Sequence, residues 1–320
     1  MANVLITGGA GFIGSHLSEL LLQGGMRITV LDDLSTGRRD NIKKFQENNL
    51  FKFIEGSILD NELVNKLVQD ADIIYHLAAA LHVKLILEKP LSALETNIHG
   101  TENVLRAAKK RKVKTFIAST SEIYGKNTKQ GLDEEDDRIL GSPLKTRWGY
   151  ASAKGIDELF AYLYFKEYGV PIVIARLFNT VGPRQTGQYG MVVPRFVSQA
   201  LQGEDITVFG DGKQKRCFLH VQDALAAITM LMSNEQAVGK VFNIGNEEEI
   251  SIEDLAKKII MMTGSLSRIV YIPYEKAYPD GFEDMQRRFP SVDRLWKLTK
   301  WKPTMKIDQI LESVIASARL

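Results

Sequence analysis

The sequence has 320 residues, 44% of them apolar and 25% charged, with 25 Gly and only 9 Pro, which excludes a disordered, collagen-like or low-complexity chain. Its 41 Lys and Arg against 39 Asp and Glu leave a formal charge of +2, so nothing in the balance calls for a nucleic-acid backbone or an anionic membrane as partner. Cys217 is the single cysteine, which excludes an intrachain disulfide and a thiolate metal cluster, and no metal is expected. Met1–Gly9 has neither the basic segment nor the apolar run of a signal peptide. No stretch approaches the roughly 18 apolar residues of a membrane span. The expected location is the cytoplasm.

In chain order, Asn3–Thr7 (NVLIT) reads as a strand and Gly14–Leu22 as a helix, followed by strands at Arg27–Asp32 and Phe51–Glu55. Leu63–Val68 carries helical spacing, Ile73–Leu77 is a strand, and Asn97–Arg111 is a helix with Ile98, Val104, Leu105 and Ala108 facing inward. A fifth strand at Thr115–Ser119 precedes a helix at Ser152–Tyr168 and the apolar strand Pro171–Leu177. Strands alternating with helices in this way mean βαβ units and a parallel sheet. Beyond Gly182 come a helix (Pro194–Leu201), a short strand (Ile206–Phe209) and helices at Val221–Met232, Ile252–Thr263 and Ile307–Ala318. The acidic run Asp133–Asp137 reads as a solvated loop, and the basic run Lys109–Lys112 as favourable charge at a helix C-terminus.

The strongest local signal is Gly8-Gly9-Ala10-Gly11-Phe12-Ile13-Gly14, after a strand and at the start of a helix. That context makes it a dinucleotide-binding turn, in which glycines permit close approach of backbone N–H groups to a pyrophosphate. Asp32 closes the second strand, where a carboxylate can accept both ribose hydroxyls of an adenosine and repel a 2′-phosphate, which favours NAD over NADP. Arg38 and Arg39 nearby weigh the other way. A second signal is Tyr150-Ala151-Ser152-Ala153-Lys154, with a phenol and an ammonium at i and i+4 on one helical face. A phenol of ordinary pKa near ~10 is a poor base at neutral pH, but an adjacent ammonium favours phenolate. A third is Ser119-Thr120-Ser121-Glu122-Ile123-Tyr124-Gly125, just after a strand and so at the carboxyl edge of the sheet, where ligands bind in open α/β folds.

With these motifs in order, the sequence resembles the extended short-chain dehydrogenase/reductase family, and within it the NAD-dependent nucleotide-sugar epimerases, dehydratases and decarboxylases. The resemblance spans essentially the whole chain, through His76-Leu77-Ala78-Ala79, Arg176–Arg184, Phe209-Gly210-Asp211-Gly212, Asn243-Ile244-Gly245 and Trp301-Lys302-Pro303. It implies a Rossmann doubly wound parallel sheet that binds NAD over residues 1–180, with 208–245 returning to it. A smaller α/β nucleotide-sugar domain would come from 181–207 and 246–320. By the same resemblance Tyr150 removes the sugar 4-OH proton while C4 is oxidised, Lys154 holds the nicotinamide ribose, and Thr120 hydrogen-bonds the 4-oxygen. Ser121 and Glu122 complete the catalytic set. Gly8, Gly11, Phe12, Ile13, Gly14, Asp32, Ile58, Ala78 and Asn97 would line the NAD site. Asn179 and Arg216 would bind the diphosphate, with Arg288 a third contact. Many relatives carry Asp where Ser57 stands, so the usual contact to the adenine amino group is missing here.

The reaction turns on Glu122. The 4-epimerases usually carry a small or hydroxyl residue there, whereas hexose 4,6-dehydratases need a carboxylate. The closest likeness is to UDP-glucuronate decarboxylases, through Gly141–Tyr150, Lys213–Phe218 and Gly281-Phe282-Glu283-Asp284. Oxidising C4 of a glucuronate makes a β-keto acid whose carboxylate leaves readily, and Arg147 stands where a cation could face a C6 carboxylate or else form a surface or interface ion pair. The leading expectation is therefore decarboxylation of UDP-glucuronate. A UDP-sugar 4-epimerase, of the UDP-glucose or UDP-glucuronate type, a GDP-sugar 4,6-dehydratase and a non-catalytic NAD-binding scaffold remain as alternatives. Relatives pair two helices across a homodimer, and Leu159, Phe160, Leu163, Tyr164 and Phe165 exceed what one core-facing stripe needs, so a homodimer is expected.

Overall fold

The computed structural model describes residues 1–80, 90–187, 191–277, 285 and 287–319. The first half is a run of βα units: β1 (Asn3–Thr7), α1 (Phe12–Gln23), β2 (Arg27–Asp32), β3 (Phe51–Glu55), α2 (Asn61–Gln69), β4 (Ile73–His76), α3 (Pro90–Lys109), β5 (Lys114–Thr120), α4 (Gly149–Tyr168) and β6 (Ile172–Leu177). With β11 (Lys240–Ile244) these strands form a seven-stranded sheet, among the described residues, in the order β11-β6-β5-β4-β1-β2-β3. Every pairing in it is parallel. This is the parallel sheet expected from the alternation of strands and helices, in the doubly wound Rossmann order that the family resemblance implies. Its strands are nearly continuous apolar runs because helices cover both faces.

One face is sealed by α1 and by α6 (Val221–Ser233), whose Leu17, Leu21, Ala224, Leu225 and Ile228 pack on Val4, Ile6, Ile28 and Val30. The other is covered by α2, α3 and α4 through Val64, Val68, Val104, Leu105, Ala108 and Ala161. Strand order reverses between β1 and β4, which opens a crevice at the carboxyl ends of the strands. Helix α3 starts at Pro90 rather than at Asn97, since proline fits a first helical turn. Ile98 is only half-buried; the inward stripe runs instead through Ala93, Asn97, Gly100 and Thr101.

The rest of the chain builds a smaller lobe. Its core joins α5 (Val192–Gln202), α7 (Ile252–Thr263) and α8 (Ile307–Ala318) around Phe196, Val197, Leu255, Ile259, Leu311 and Val314. Four short strands in two pairs close it: β7 (Thr180–Val181) with β10 (Leu219–His220), and β8 (Ile206–Phe209) with β13 (Ile269–Ile272). Strand β9 (Lys215–Cys217) lies between β12 (Glu249–Ser251) and β14 (Arg287–Arg288). Within 208–245, only α6 and β11 rejoin the large sheet, whereas β8, β9 and β10 pair outside it. The strand β11, of which the sequence reading named only the Asn243-Ile244-Gly245 end, supplies the seventh position. No helix among the described residues is long and apolar enough to cross a membrane.

Two charge runs take different fates. The basic run follows the end of α3, where Arg111 Nη1 donates to the Ala71 carbonyl at 3.3 Å, in keeping with charge at a helix terminus. The acidic run is not a wholly solvated loop. Glu134 is buried, and its Oε1 accepts from the Asn243 backbone N–H at 2.7 Å. The neighbouring Arg176 bonds both Glu158 oxygens at 2.8 and 2.9 Å and the Tyr124 hydroxyl at 2.9 Å. Cys217 is a buried apolar contact whose thiol burial pushes up to about 12.

Candidate active site

A cleft of about 740 Å³ runs between the large sheet and the smaller lobe, lined by the ends of β1, β2, β4, β5 and β6. At one end lies the turn from β1 into α1. Gly8 has φ +73°, and a Cβ there would stand 2.7 Å from the Ala78 backbone nitrogen. A Cβ on Gly14 would stand 2.2 Å from the Gly8 carbonyl oxygen. The turn can therefore close only with glycine at both positions, and it brings bare backbone to the cleft. Gly11 caps α1 without any side-chain hydrogen bond. The first amides of a helix are a ready site for phosphate oxygens.

Asp32 ends β2 at the cleft wall. Its Oδ2 accepts from the Ala10 N–H and its Oδ1 from the Leu34 N–H, each at 2.9 Å. Burial raises its pKa against these bonds. The Gly11 N–H adds a third such bond, and of the about four acceptor positions of a carboxylate this leaves room for a ribose hydroxyl. Arg39 is turned away to pair with Glu55, while Arg38 borders the cleft. Ser57 lines the cleft too, its hydroxyl accepting from the Leu59 N–H at 3.2 Å. Taken together, the glycine cradle, the uncapped helix start and the anchored carboxylate fit a dinucleotide.

Mid-cleft, three motifs converge. Thr120, the last residue of β5, accepts from the Glu122 N–H at 3.2 Å and caps the short 3-10 turn Ser121–Tyr124. Tyr150, in the first turn of α4, hydrogen-bonds Thr120. Burial, with the Glu122 and Asp157 carboxylates, pushes its phenol far above the usual range. One turn on, Lys154 reaches the same wall with only 2% of its surface exposed. His76, beneath, is brought down to about 3 by burial and the Lys154 charge, so its imidazole is neutral.

Beside Thr120, Glu122 meets a group of arginines. Arg147 Nη1 donates to Glu122 Oε2 at 2.7 Å, and Arg288 Nη1 lies 3.6 Å from Oε1. Burial alone would raise the Glu122 pKa, but Arg147, Arg288 and Arg216 together bring it down to about 2. Arg288 and Arg216 come from β14 and β9, which pair in parallel with these two residues in register. Arg147 forms its ion pair inside the cleft, where it is buried, and not at the surface.

Each residue named from the sequence lines this cleft except Asn97. Asn97 is buried in α3, where its Oδ1 accepts from the Ala80 N–H at 2.8 Å and its Nδ2 donates to the Ala80 carbonyl at 3.1 Å. It shapes the loop after β4 instead of facing a ligand. Asn179, at φ +31°, donates through Nδ2 to the Cys217 carbonyl at 2.9 Å and keeps one N–H for the cleft. The sequence reading missed the far wall of Phe209, Gln214 and Tyr274, where Gln214 Nε2 donates to the Tyr274 hydroxyl at 3.2 Å. It also missed Arg184, which crosses from the smaller lobe to Ser15 and Glu19 of α1. Ser15 and Glu19 stand at i and i+4, the one local hint of that clasp. The motif Gly281-Phe282-Glu283-Asp284 lies outside the described residues.

Residues 5–314 match the family model for GDP-mannose 4,6 dehydratase. The chain is 44% identical over 312 residues to a UDP-N-acetyl-alpha-D-glucosaminuronate decarboxylase of Bacillus cytotoxicus, covering 97% of this chain and 96% of that one. It is 36% identical over 312 residues to UDP-glucuronic acid decarboxylase 1 of Xenopus tropicalis, covering 98% of this chain and 71% of the relative. Among solved structures, UDP-glucuronic acid 4-epimerase from Bacillus cereus, in complex with UDP-glucuronic acid and NAD, superposes with a TM-score of 0.89 at 29% identity over 99% of both chains.

Proposed function

The chain belongs to the GDP-mannose 4,6-dehydratase family of extended short-chain dehydrogenases/reductases, and on that premise we propose that it oxidises C4 of a UDP-hexuronate and releases its C6 carboxyl group as carbon dioxide. It is an NAD-dependent nucleotide-sugar enzyme. The observation that carries the choice of substrate is the arginine cluster at Glu122: three guanidinium groups surround one carboxylate beside Tyr150. Guanidinium groups gathered there offer charged donors to a substrate carboxylate, which a neutral hexose does not have. Decarboxylases are also among the relatives that match nearly all of the chain.

NAD, when bound, would accept the pair of electrons leaving C4 and give them back to that carbon after carbon dioxide has left. In this reading Gly8, Gly11, Phe12, Ile13, Gly14, Asp32, Ile58 and Ala78 hold the cofactor. Thr120 donates to the sugar 4-oxygen and Tyr150 takes its proton, a step that needs the Lys154 charge beside it to offset burial. Arg147 and Arg288 grip the C6 carboxylate, while Asn179 and Arg216 face the diphosphate. Once C4 is a ketone, the C5–C6 bond electrons move onto the 4-oxygen as carbon dioxide leaves, and a proton then returns to C5. The large sheet serves the cofactor; the smaller lobe, with β8 to β10, serves the sugar nucleotide.

A second reading, 4-epimerisation of the same hexuronate, is favoured by the structural likeness to the UDP-glucuronic acid 4-epimerase. Mass spectrometry of the protein incubated with UDP-glucuronate and its 2-acetamido analogue separates the two. Loss of carbon dioxide is the expected result; an unchanged mass with altered sugar configuration establishes the epimerase instead.

The functional unit in this proposal is a homodimer through α3 and α4. On α4, Ile156, Leu159, Tyr162 and Leu163 are solvent-exposed, Leu159 by 55%. Of the five apolar residues expected there, Phe160, Tyr164 and Phe165 instead pack onto the core of their own chain. An exposed apolar stripe on α4, beside α3, fits a second copy of itself. Leu159→Glu should give a monomer by light scattering, and a dimer of unchanged affinity would remove this interface.

A further inference from the structure

Helix α4 carries another acid on its catalytic face. Tyr150, Lys154 and Asp157 follow at i, i+4 and i+7, which stacks them along one stripe. Asp157 is fully buried, and Lys154 Nζ lies 3.0 Å from its Oδ2. Asp157 is absent from the cleft wall and lies one layer below it, with the Thr101 hydroxyl of α3 against the same carboxylate. Thr101 Oγ1 is 3.0 Å from His76 Nε2, and His76 Nδ1 is 2.8 Å from Thr7 Oγ1. A buried polar chain therefore runs under the cleft floor from Lys154 to the strand that enters the glycine turn.

An ammonium so deeply buried loses its proton unless it is paired. Asp157 supplies that partner from within the fold and leaves the other N–H donors of Lys154 for the cleft. The same negative charge works against a phenolate at Tyr150. We propose that Asp157 is a positioning residue that acts through Lys154: it fixes the ammonium in the cleft wall and sets the pH at which Tyr150 gives up its proton. The inference rests on Tyr150 being the base for C4 oxidation.

Among the described residues, the charged and titratable neighbours are few. His76 faces the pair from β4 and is neutral. Glu122 faces it from the turn after β5 and is matched by Arg147 and Arg288. On α4 itself Glu158 is bound by Arg176, and Arg138 caps the Ala151 carbonyl at 3.0 Å. Helix α3 contributes the uncharged Thr101. Asp157 is therefore the one acid that touches Lys154 among these neighbours.

Asp157→Asn keeps the shape and an acceptor for Lys154 but removes the charge. Seven residues of helix separate Asp157 from Tyr150 by about 10 Å. A unit charge at that distance shifts a titration by about one pH unit at an effective dielectric of ~20. In the NAD-loaded protein mixed with UDP-hexuronate, the acid limb of NADH formation should move to lower pH by about that amount. The Tyr150 ¹³Cζ signal, assigned by its loss in Tyr150→Phe, should titrate lower in step. Asp157→Glu keeps the charge and should keep the limb, though at a reduced rate.

A limb and a ¹³C titration unmoved in Asp157→Asn would overturn the proposal, as would an equal shift in Asp157→Glu. Burial raises the Asp157 pKa, with Lys154 opposing, so the wild-type ¹³Cγ signal is a test that needs no variant. It should report carboxylate throughout the active pH range, and a protonated acid at pH 7 would defeat the idea. Normal NADH formation by Tyr150→Phe would bring down the underlying choice of base. An inactive Tyr150→Phe with an unmoved Asp157→Asn limb would bring down only the role of Asp157.

Discussion

Glu122→Gln protein, loaded with NAD and given a UDP-hexuronate, is expected to form NADH and then stall with a keto sugar on the enzyme. Arg147, Arg288 and Arg216 hold Glu122 down to about 2, against burial, so it is a carboxylate across the whole working range. Glutamine therefore removes a charge from the arginine cluster and leaves Thr120, Tyr150 and Lys154 in place. C4 oxidation needs only those three and the cofactor. Loss of carbon dioxide and the return of a proton to C5 depend on how the guanidinium groups share their charge between Glu122 and the leaving carboxylate. Positioned acid–base groups contribute about 10²- to 10⁴-fold, so the second phase should slow by that order while the first stays fast. Absorbance in the reduced-nicotinamide band resolves the two phases in one trace. Rapid completion of the cycle with retention of C6 would favour the epimerase reading. A protein that forms no NADH at all would assign Glu122 to placing the substrate or Thr120.

Tyr150→Phe is expected to abolish the first phase while NAD stays bound. The substitution deletes one hydroxyl from a residue only 6% exposed, so the packing against Ala80 and Ala93 is retained. What is lost is the acceptor for the 4-OH proton, at a site where Thr120 hydrogen-bonds the phenol and Lys154 stands one turn away. The drop in the rate of NADH formation should again be about 10²- to 10⁴-fold. Unchanged NAD content by absorbance after gel filtration would show that the cofactor site is intact. Near-normal NADH formation would remove Tyr150 from the role of base and send the search to another group in reach of the 4-oxygen.

The outcomes for individual elements follow how local their causes are. Strands β1 to β6 and helix α1 were legible because each carries its own period and its own stop: NVLIT ends at a glycine turn, and RITVLD ends at an acid. Lys154 could be paired with Tyr150 because four residues of helix bring them together wherever that helix lies. Glu134 could not be read as buried, because its partner is the backbone N–H of Asn243 on a strand at the far edge of the sheet. The split in the α4 stripe was hidden for a similar reason. Phe160, Tyr164 and Phe165 carry the same apolar signal as Leu159 and Leu163, and only the packing of α4 against its neighbours tells core from surface.

The sequence by itself determined the βα alternation, the glycine turn, the carboxylate at the end of β2 and the Tyr150–Lys154 pair, since each is set by spacing within one turn, one strand or one helix. Tertiary structure decided what surrounds Glu122. Arg147 arrives from the turn before α4, Arg216 from β9 and Arg288 from β14, and the register of β14 against β9 sets the last two side by side. It also decided that Asp157 lies beneath Lys154 in a buried chain with Thr101, His76 and Thr7. The physical reason is range. Backbone hydrogen bonding and side-chain periodicity act over a few residues and leave their mark in the sequence. Coulombic pairing and desolvation act through space, and their partners are fixed only when the sheet and the smaller lobe close around one cleft.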